Sequence, residues 1–103
     1  MKNNYFSIFP QKYAQGVIKK VNKVVVKLYV PAIEMQYDVW LPINRKIHNI
    51  ITLLIKAINE LCSGEYKPKN IPMLYDKNTA KMYDINLSVK ANKIKNGTEI
   101  ILI

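Results

Sequence analysis

Seven carboxylates, one histidine and one cysteine are what this chain offers for acid–base, nucleophilic or metal chemistry. Acid–base catalysis by carboxyl groups needs two of them held across one reacting bond. Glu34, Asp38, Glu60, Glu65, Asp76, Asp84 and Glu99 fall at spacings that place no two together on a helix or strand face. A nucleophilic thiol needs an activating neighbour, yet His48 precedes Cys62 by fourteen positions, roughly four helical turns. A lone cysteine forms no intramolecular disulfide and builds no cysteine-ligated zinc site. The sequence contains no phosphate-binding glycine loop, no HExxH and no nucleophile elbow. Asp76 and Asp84 bracket a predicted hairpin, where an aspartate ordinarily shapes the turn. The expectation is a protein that is not an enzyme and has no catalytic, metal or cofactor residues.

The elements that remain are those of a single small core, since 103 residues suffice for one domain and half of them are apolar. Val24 to Val30, VVVKLYV, is rich in β-branched residues and reads as a strand. Val24, Val26, Leu28 and Val30 share one face; Val25, Lys27 and Tyr29 share the other. After a turn at Pro31–Glu34, Met35 to Leu41 forms a second alternating strand, with Gln36, Asp38 and Trp40 opposite its apolar face. Asn44 is a good N-cap for the helix that follows. Along it Ile47, Ile50, Ile51, Leu54, Ile58 and Leu61 make an apolar stripe, and Ser63-Gly64 supplies the stop, with Gly64 as the left-handed residue. His48 lies off that stripe, in solvent. Met73–Tyr75 and Lys81–Tyr83 read as a short hairpin. Ile85, Leu87, Val89 and Ile94 anchor a longer irregular stretch, and Asn96-Gly97 is a turn. Glu99 to Ile103 closes the chain as a strand apolar on both faces, which belongs inside a sheet. It should pair in parallel with the first strand of the hairpin while the helix crosses one face.

Residues 1–22 read as an aromatic-rich extension outside this unit, with Tyr5, Phe6, Ile8, Phe9 and Tyr13 interrupted by Pro10 and Gly16. A cluster so dense in aromatics should dock on the domain or on a partner. The segment has no apolar run of signal-peptide length, and no stretch approaches the ~18–20 apolar residues of a membrane span. A soluble, cytoplasmic protein is expected.

The net charge of +9 suggests an anionic partner, but fifteen of the sixteen cations are Lys and only Arg45 is Arg. Bidentate phosphate and base readout favours Arg. Ile, Lys and Asn together make 41 of the 103 residues, as codon choice in an AT-rich genome would produce. That bias raises basicity with no partner involved. The nucleic-acid alternative rests on Lys67, Lys69, Lys90, Lys93 and Lys95, and needs Tyr66 or Tyr75 among them as a stacking platform.

The order from Lys23 to Ile103 resembles a ubiquitin-like, or β-grasp, domain: an α+β fold of ββαββ order, with a mixed sheet packed on one helix. Met73-Leu74-Tyr75 stands where that family has its third strand, Leu87 and Ile94 where it anchors its late loop. Lys95-Asn96-Gly97-Thr98 followed by Ile100 and Leu102 matches its closing turn and strand. Within the superfamily, Tyr37-Asp38-Val39-Trp40-Leu41-Pro42 leading into an Ile-rich helix is similar to the bacterial YukD/EsaB-like accessory proteins of type VII (WXG100) secretion. Conjugated relatives end in Gly-Gly, whereas the last glycine here is Gly97 and the chain ends Ile100-Ile101-Leu102-Ile103. Conjugation through this end is therefore not expected.

The resemblance implies binding rather than chemistry. Strand alternation turns Val25, Tyr29 and Trp40 away from the helix, and the family's recognition strands match Leu74, Ile101 and Ile103. Together these predict an apolar patch for a protein partner. Its occupant is a component of secretion machinery, a second copy of the chain, or the aromatic N-terminal segment folded back.

Overall fold

The computed structural model describes residues 4–8 and 22–103. Phe9, Pro10, Tyr13 and Gly16 of the aromatic extension lie outside the described residues. Five strands form one sheet: β1 Asn4–Ser7, β2 Lys23–Val30, β3 Met35–Pro42, β4 Leu74–Asp76 and β5 Glu99–Leu102. Their order across it is β1-β3-β2-β5-β4, and α1, Ile47–Leu61, packs its apolar face on the core. β2 and β3 are antiparallel, β2 and β5 parallel, β4 and β5 antiparallel. This is the β-grasp arrangement.

The hairpin forms as its alternation requires, with Val26, Leu28 and Val30 buried from β2 and Tyr37, Val39 and Leu41 from β3. Between the strands a 3₁₀ turn at Pro31–Ile33 ends on Glu34 in the left-handed region, φ 52°, whose N–H donates to the Pro31 carbonyl at 3.0 Å. β1 lies within the stretch read as an extension and forms the sheet edge parallel to β3. There the Phe6 ring meets buried Tyr37 edge-on, with centroids 5.3 Å apart, and Ile8 enters the core.

From α1 the core takes Ile47, Ile50, Ile51, Leu54 and Ile58. Leu61, the last position of the predicted stripe, is instead 52 % exposed, because the helix ends there beyond the packed cluster. The helix start also differs from the prediction. Asn44 is exposed and the N-cap is Lys46, which makes no side-chain capping bond. The first-turn N–H groups, which every helix must satisfy from outside, reach backbone carbonyls of the irregular late stretch. Ile47 N–H donates to Leu87 at 3.0 Å and His48 N–H to Ile85 at 3.1 Å. At the other end Ser63 takes the left-handed position after the cap, φ 56°, and Gly64 follows at φ 81°. Gly64 N–H closes back on the Asn59 carbonyl at 2.8 Å, a Schellman bond. The left-handed residue expected at Gly64 thus begins one position earlier.

One amide ties the late stretch together from within, while Val89 and Lys90 N–H donate to the Arg45 and Ile43 carbonyls at 3.0 and 2.9 Å. Asn92 Oδ1 accepts from Asp84 N–H at 2.9 Å, and its Nδ2 donates to the carbonyls of Asp84 and Ser88 at 3.1 and 2.9 Å. Val89 and Ile94 are buried as predicted, whereas Leu87 is 44 % exposed. Its carbonyl rather than its side chain anchors this stretch.

Two outcomes test this reading. Ile50→Ala should cost about 2–5 kcal/mol in urea unfolding, while Leu61→Ala and Leu87→Ala should stay within about 0.5 kcal/mol. Asn92→Ala should cost about 2 kcal/mol and speed hydrogen exchange at the Ile47 and His48 amides, with Asn44→Ala leaving both unchanged.

Candidate functional site

The sheet face opposite α1 is built by strand register. Gln36, Tyr29, Ile101 and Tyr75 align across β3, β2, β5 and β4. One step along lies a charged row, Asp38, Lys27 and Glu99, and beyond it Trp40 pairs with Val25. Tyr29 is the centre of the first row. Its hydroxyl donates to Glu99 Oε2 at 3.2 Å, and Lys77 Nζ sits 4.0 Å from its ring centroid and 3.7 Å from the same carboxylate oxygen. Lys23 Nζ lies 4.7 Å from the Trp40 ring centroid. Beside Tyr29 an open depression of about 260 Å³ is walled by Pro31, Met35, Gln36, Lys77 and Ile101.

Lys77 reaches this position through the turn after β4. Asp76 Oδ1 accepts from the N–H groups of Asn78 and Thr79 at 2.8 and 3.0 Å, and Oδ2 accepts from the Tyr83 hydroxyl at 3.2 Å. Lys77 N–H then donates to the Glu99 carbonyl at 3.0 Å. Those donors, the Thr79 amide foremost, hold the Asp76 carboxyl below its ordinary range. Burial, then the charge of Asp76, pushes the Tyr83 phenol well above its own.

Of the six residues expected on this face, Val25, Tyr29, Trp40 and Ile101 lie half-buried and Ile103 is 64 % exposed. Leu74 does not belong with them. It is 0 % exposed, because its partner in the register is the inward-facing Leu102. The outward residue of β4 is Tyr75, opposite Ile101. The register also divides the apolar surface. Val25 and Trp40 stand apart from Tyr29, Ile101 and Tyr75, with Lys27, Asp38 and Glu99 between them.

For the lysine alternative, Lys67, Lys69, Lys90, Lys93 and Lys95 are all exposed, but Tyr66 is 3 % exposed and packs in the core. Its ring presents no face to a base, and Tyr75 is half-buried in the Tyr29 row on the outer sheet face. Among the described residues no group of three or more His, Cys, Asp or Glu gathers at metal-binding distance. Among them, too, no helix is long and apolar enough to cross a membrane.

No family model matches the sequence, and no curated protein does. Solved structures do match in fold. The ubiquitin-like domain of EccD5 from Mycobacterium xenopi aligns at TM-score 0.58 and 18 % identity, over 80 % of this chain and 93 % of that one. That of the type VII secretion protein EccD1 from Mycobacterium tuberculosis aligns at TM-score 0.64 and 11 % identity, over 80 % and 98 %. A chain of toluene 4-monooxygenase, in a complex with 4-bromobenzoate, reaches TM-score 0.63 at 7 % identity. The chain has the ubiquitin-like fold.

The Asp76 turn carries a pH signature. A carboxyl whose folded pKa is depressed adds stability above its unfolded value, ~3.9, and loses it as pH falls through the folded value. Asp76→Asn should lower the urea midpoint near neutral pH. The gap to the native chain should close as pH drops below the ordinary carboxylate range, as denaturation series from pH 7 to strong acid would read out.

Proposed function

We propose that this chain is a non-catalytic protein-interaction module, an accessory or regulatory component of a bacterial type VII secretion machine, acting in the cytoplasm. The observation that carries the proposal is the Tyr29 row. It sets an aromatic ring, an aliphatic side chain and a second tyrosine side by side on the face the helix leaves open. An apolar depression adjoins it. Aromatic anchors beside a small pocket are what a binding hot spot requires. Lys77 and Glu99 hold the Tyr29 ring in place before a partner arrives, which lowers the ordering cost of binding. Lys27 and Asp38 stand beside that row and suit a partner with charges of both signs.

The likeness in fold to EccD ubiquitin-like domains supports a place in secretion, and the resemblance of the hairpin-to-helix junction to YukD/EsaB-like proteins points the same way. The Asp76 pKa is held low by its turn, and those of Tyr66 and Tyr83 are raised chiefly by burial.

Purified cytoplasmic components of the secretion machine from the same genome are the partners to test by calorimetry. One of them should bind at micromolar strength or better. Tyr29→Ala and Ile103→Asp should each weaken it about tenfold, near 1.4 kcal/mol. Export of WXG100 substrates should fall in a strain lacking the chain. Binding that ignores both substitutions, or no binding to any component, sinks the proposal.

A further inference from the structure

A second surface lies on the helix side, away from the Tyr29 row. A groove of about 410 Å³ runs between α1 and residues 71–73, lined by His48, Ile51, Ile55, Ile71, Met73 and Ile85. Ile71 stands on its lip at 82 % exposure, the highest of any large apolar residue described. It is not on a loose loop. Pro72 beside it is buried, and Met73 exchanges both backbone hydrogen bonds with Ile103 at 2.9 and 3.0 Å. The chain thus presents an isoleucine to solvent from a pinned segment, next to half-buried Ile55, Met73 and Ile85.

We infer that this groove docks an acidic amphipathic helix of a partner protein. Charge sets the sign of the occupant. Of the three segments that wall the groove, 45–56 and 67–73 contain Arg45, Lys46, Lys56, Lys67 and Lys69 and no acidic residue, and the third, at Ile85, has one acidic neighbour. Asp84 next to Ile85 is turned to its own loop, accepting from Asn86 N–H at 2.9 Å. A second copy of this chain would bring the same cations against themselves. Backbone accounting sets the form of the occupant. The first-turn amides of α1 are taken by Leu87 and Ile85, Met73 is paired with Ile103, and the Leu74 carbonyl accepts from Tyr83 N–H at 3.0 Å. Met73 and Leu74 therefore offer an added strand no ladder to join, and the occupant binds by side chains. The groove wall on α1 is the row His48, Ile51, Ile55, spacings that match a helix laid alongside. This inference stands independently of the outer-face reading.

The test uses the full chain, labelled with ¹⁵N, and a synthetic amphipathic peptide with Leu on one face and Glu elsewhere. A twin peptide carries Lys in place of Glu. The acidic peptide should move the amide signals of His48, Thr52, Ile71 and Met73 and bind at least about tenfold more tightly than its twin. Added salt should weaken it. Ile71→Glu should reduce that affinity about tenfold or more, and the exposure of Ile71 makes loss of the fold, checked by circular dichroism, the unexpected result. Tyr29→Ala, on the opposite sheet face, should leave the affinity unchanged, which separates this groove from the outer face. Equal binding of the two peptides, indifference to Ile71→Glu, or shifts confined to the Tyr29 row would overturn the inference. So would concentration-dependent shifts of the groove amides without peptide. Binding to phosphatidylglycerol vesicles in place of the peptide would overturn it as well.

Discussion

The parallel contact between β2 and β5 is the constraint on which the other elements depend. It joins Lys27, Leu28 and Tyr29 to Glu99, Ile100 and Ile101, about seventy residues away in sequence. Closing so long a loop costs chain entropy before any contact repays it. The repayment is concentrated at one place. Leu28 and Ile100 are both 0 % exposed, and the turn before β5 adds polar bonds of its own. Asn96 Oδ1 accepts from Val25 N–H at 2.8 Å, Gly97 N–H donates to the Val25 carbonyl at 2.8 Å, and Lys27 N–H donates to Thr98 at 3.0 Å. Gly97 sits at φ 85°, a conformation that side-chain-bearing residues rarely adopt. The turn thereby fixes β5 in register, and register decides that Ile101 and Glu99 flank Tyr29. A slip of one residue would exchange Ile101 for Leu102 on the outer face and leave the tyrosine hydroxyl without its carboxylate.

Much of this was legible in the sequence, and the reasons are physical. The β2 and β3 strands alternate cleanly because one of their faces packs on the core, so the period of two survives in the residue types. The helix carries its stripe for the same reason, and β5 sets Ile100 and Leu102 on the face that packs on the core. What escaped is what depends on contacts between distant segments. Asn-Tyr-Phe-Ser has no strand alternation of its own; it becomes β1 through pairing with β3. Leu74 could face either way until its register with Leu102 was known. Asn44 has the right chemistry for an N-cap, but the helix begins after Lys46, and carbonyls from forty residues later do the capping. Asn92 gives no signal at all, since its value lies in which backbone groups come within its reach.

The two faces divide the work of the outer residues. On the sheet side, Lys27 and Glu99 interrupt the apolar surface between Trp40 and Tyr29. Charged interruptions of that kind limit indiscriminate sticking while leaving a defined anchor. The ion pair of Lys77 with Glu99 there is partly exposed and adds little stability by itself. Its consequence is positional, because the same ammonium group lies over the Tyr29 ring and the same carboxylate holds the hydroxyl. The core beneath contributes no polarity to either face: among the described residues every buried side chain of the cluster is apolar or tyrosine.

On the helix side, one loop has two duties, and they are not separable. Ile85 gives its carbonyl to His48 N–H, and the side chains of both residues line the groove. Leu87 gives its carbonyl to Ile47, whose side chain is fully buried. Asn92 ties the two ends of that loop together. The bonds that complete the helix N-terminus therefore also set the groove's third wall. A side-chain cap at Asn44 would have satisfied those amides locally and removed two of the bonds that tie residues 84–92 to the helix start, where Val89 and Lys90 N–H also donate to the Arg45 and Ile43 carbonyls. By taking its cap from a distant segment, the helix fixes that segment against itself, and the groove gains a rigid edge from the same two hydrogen bonds.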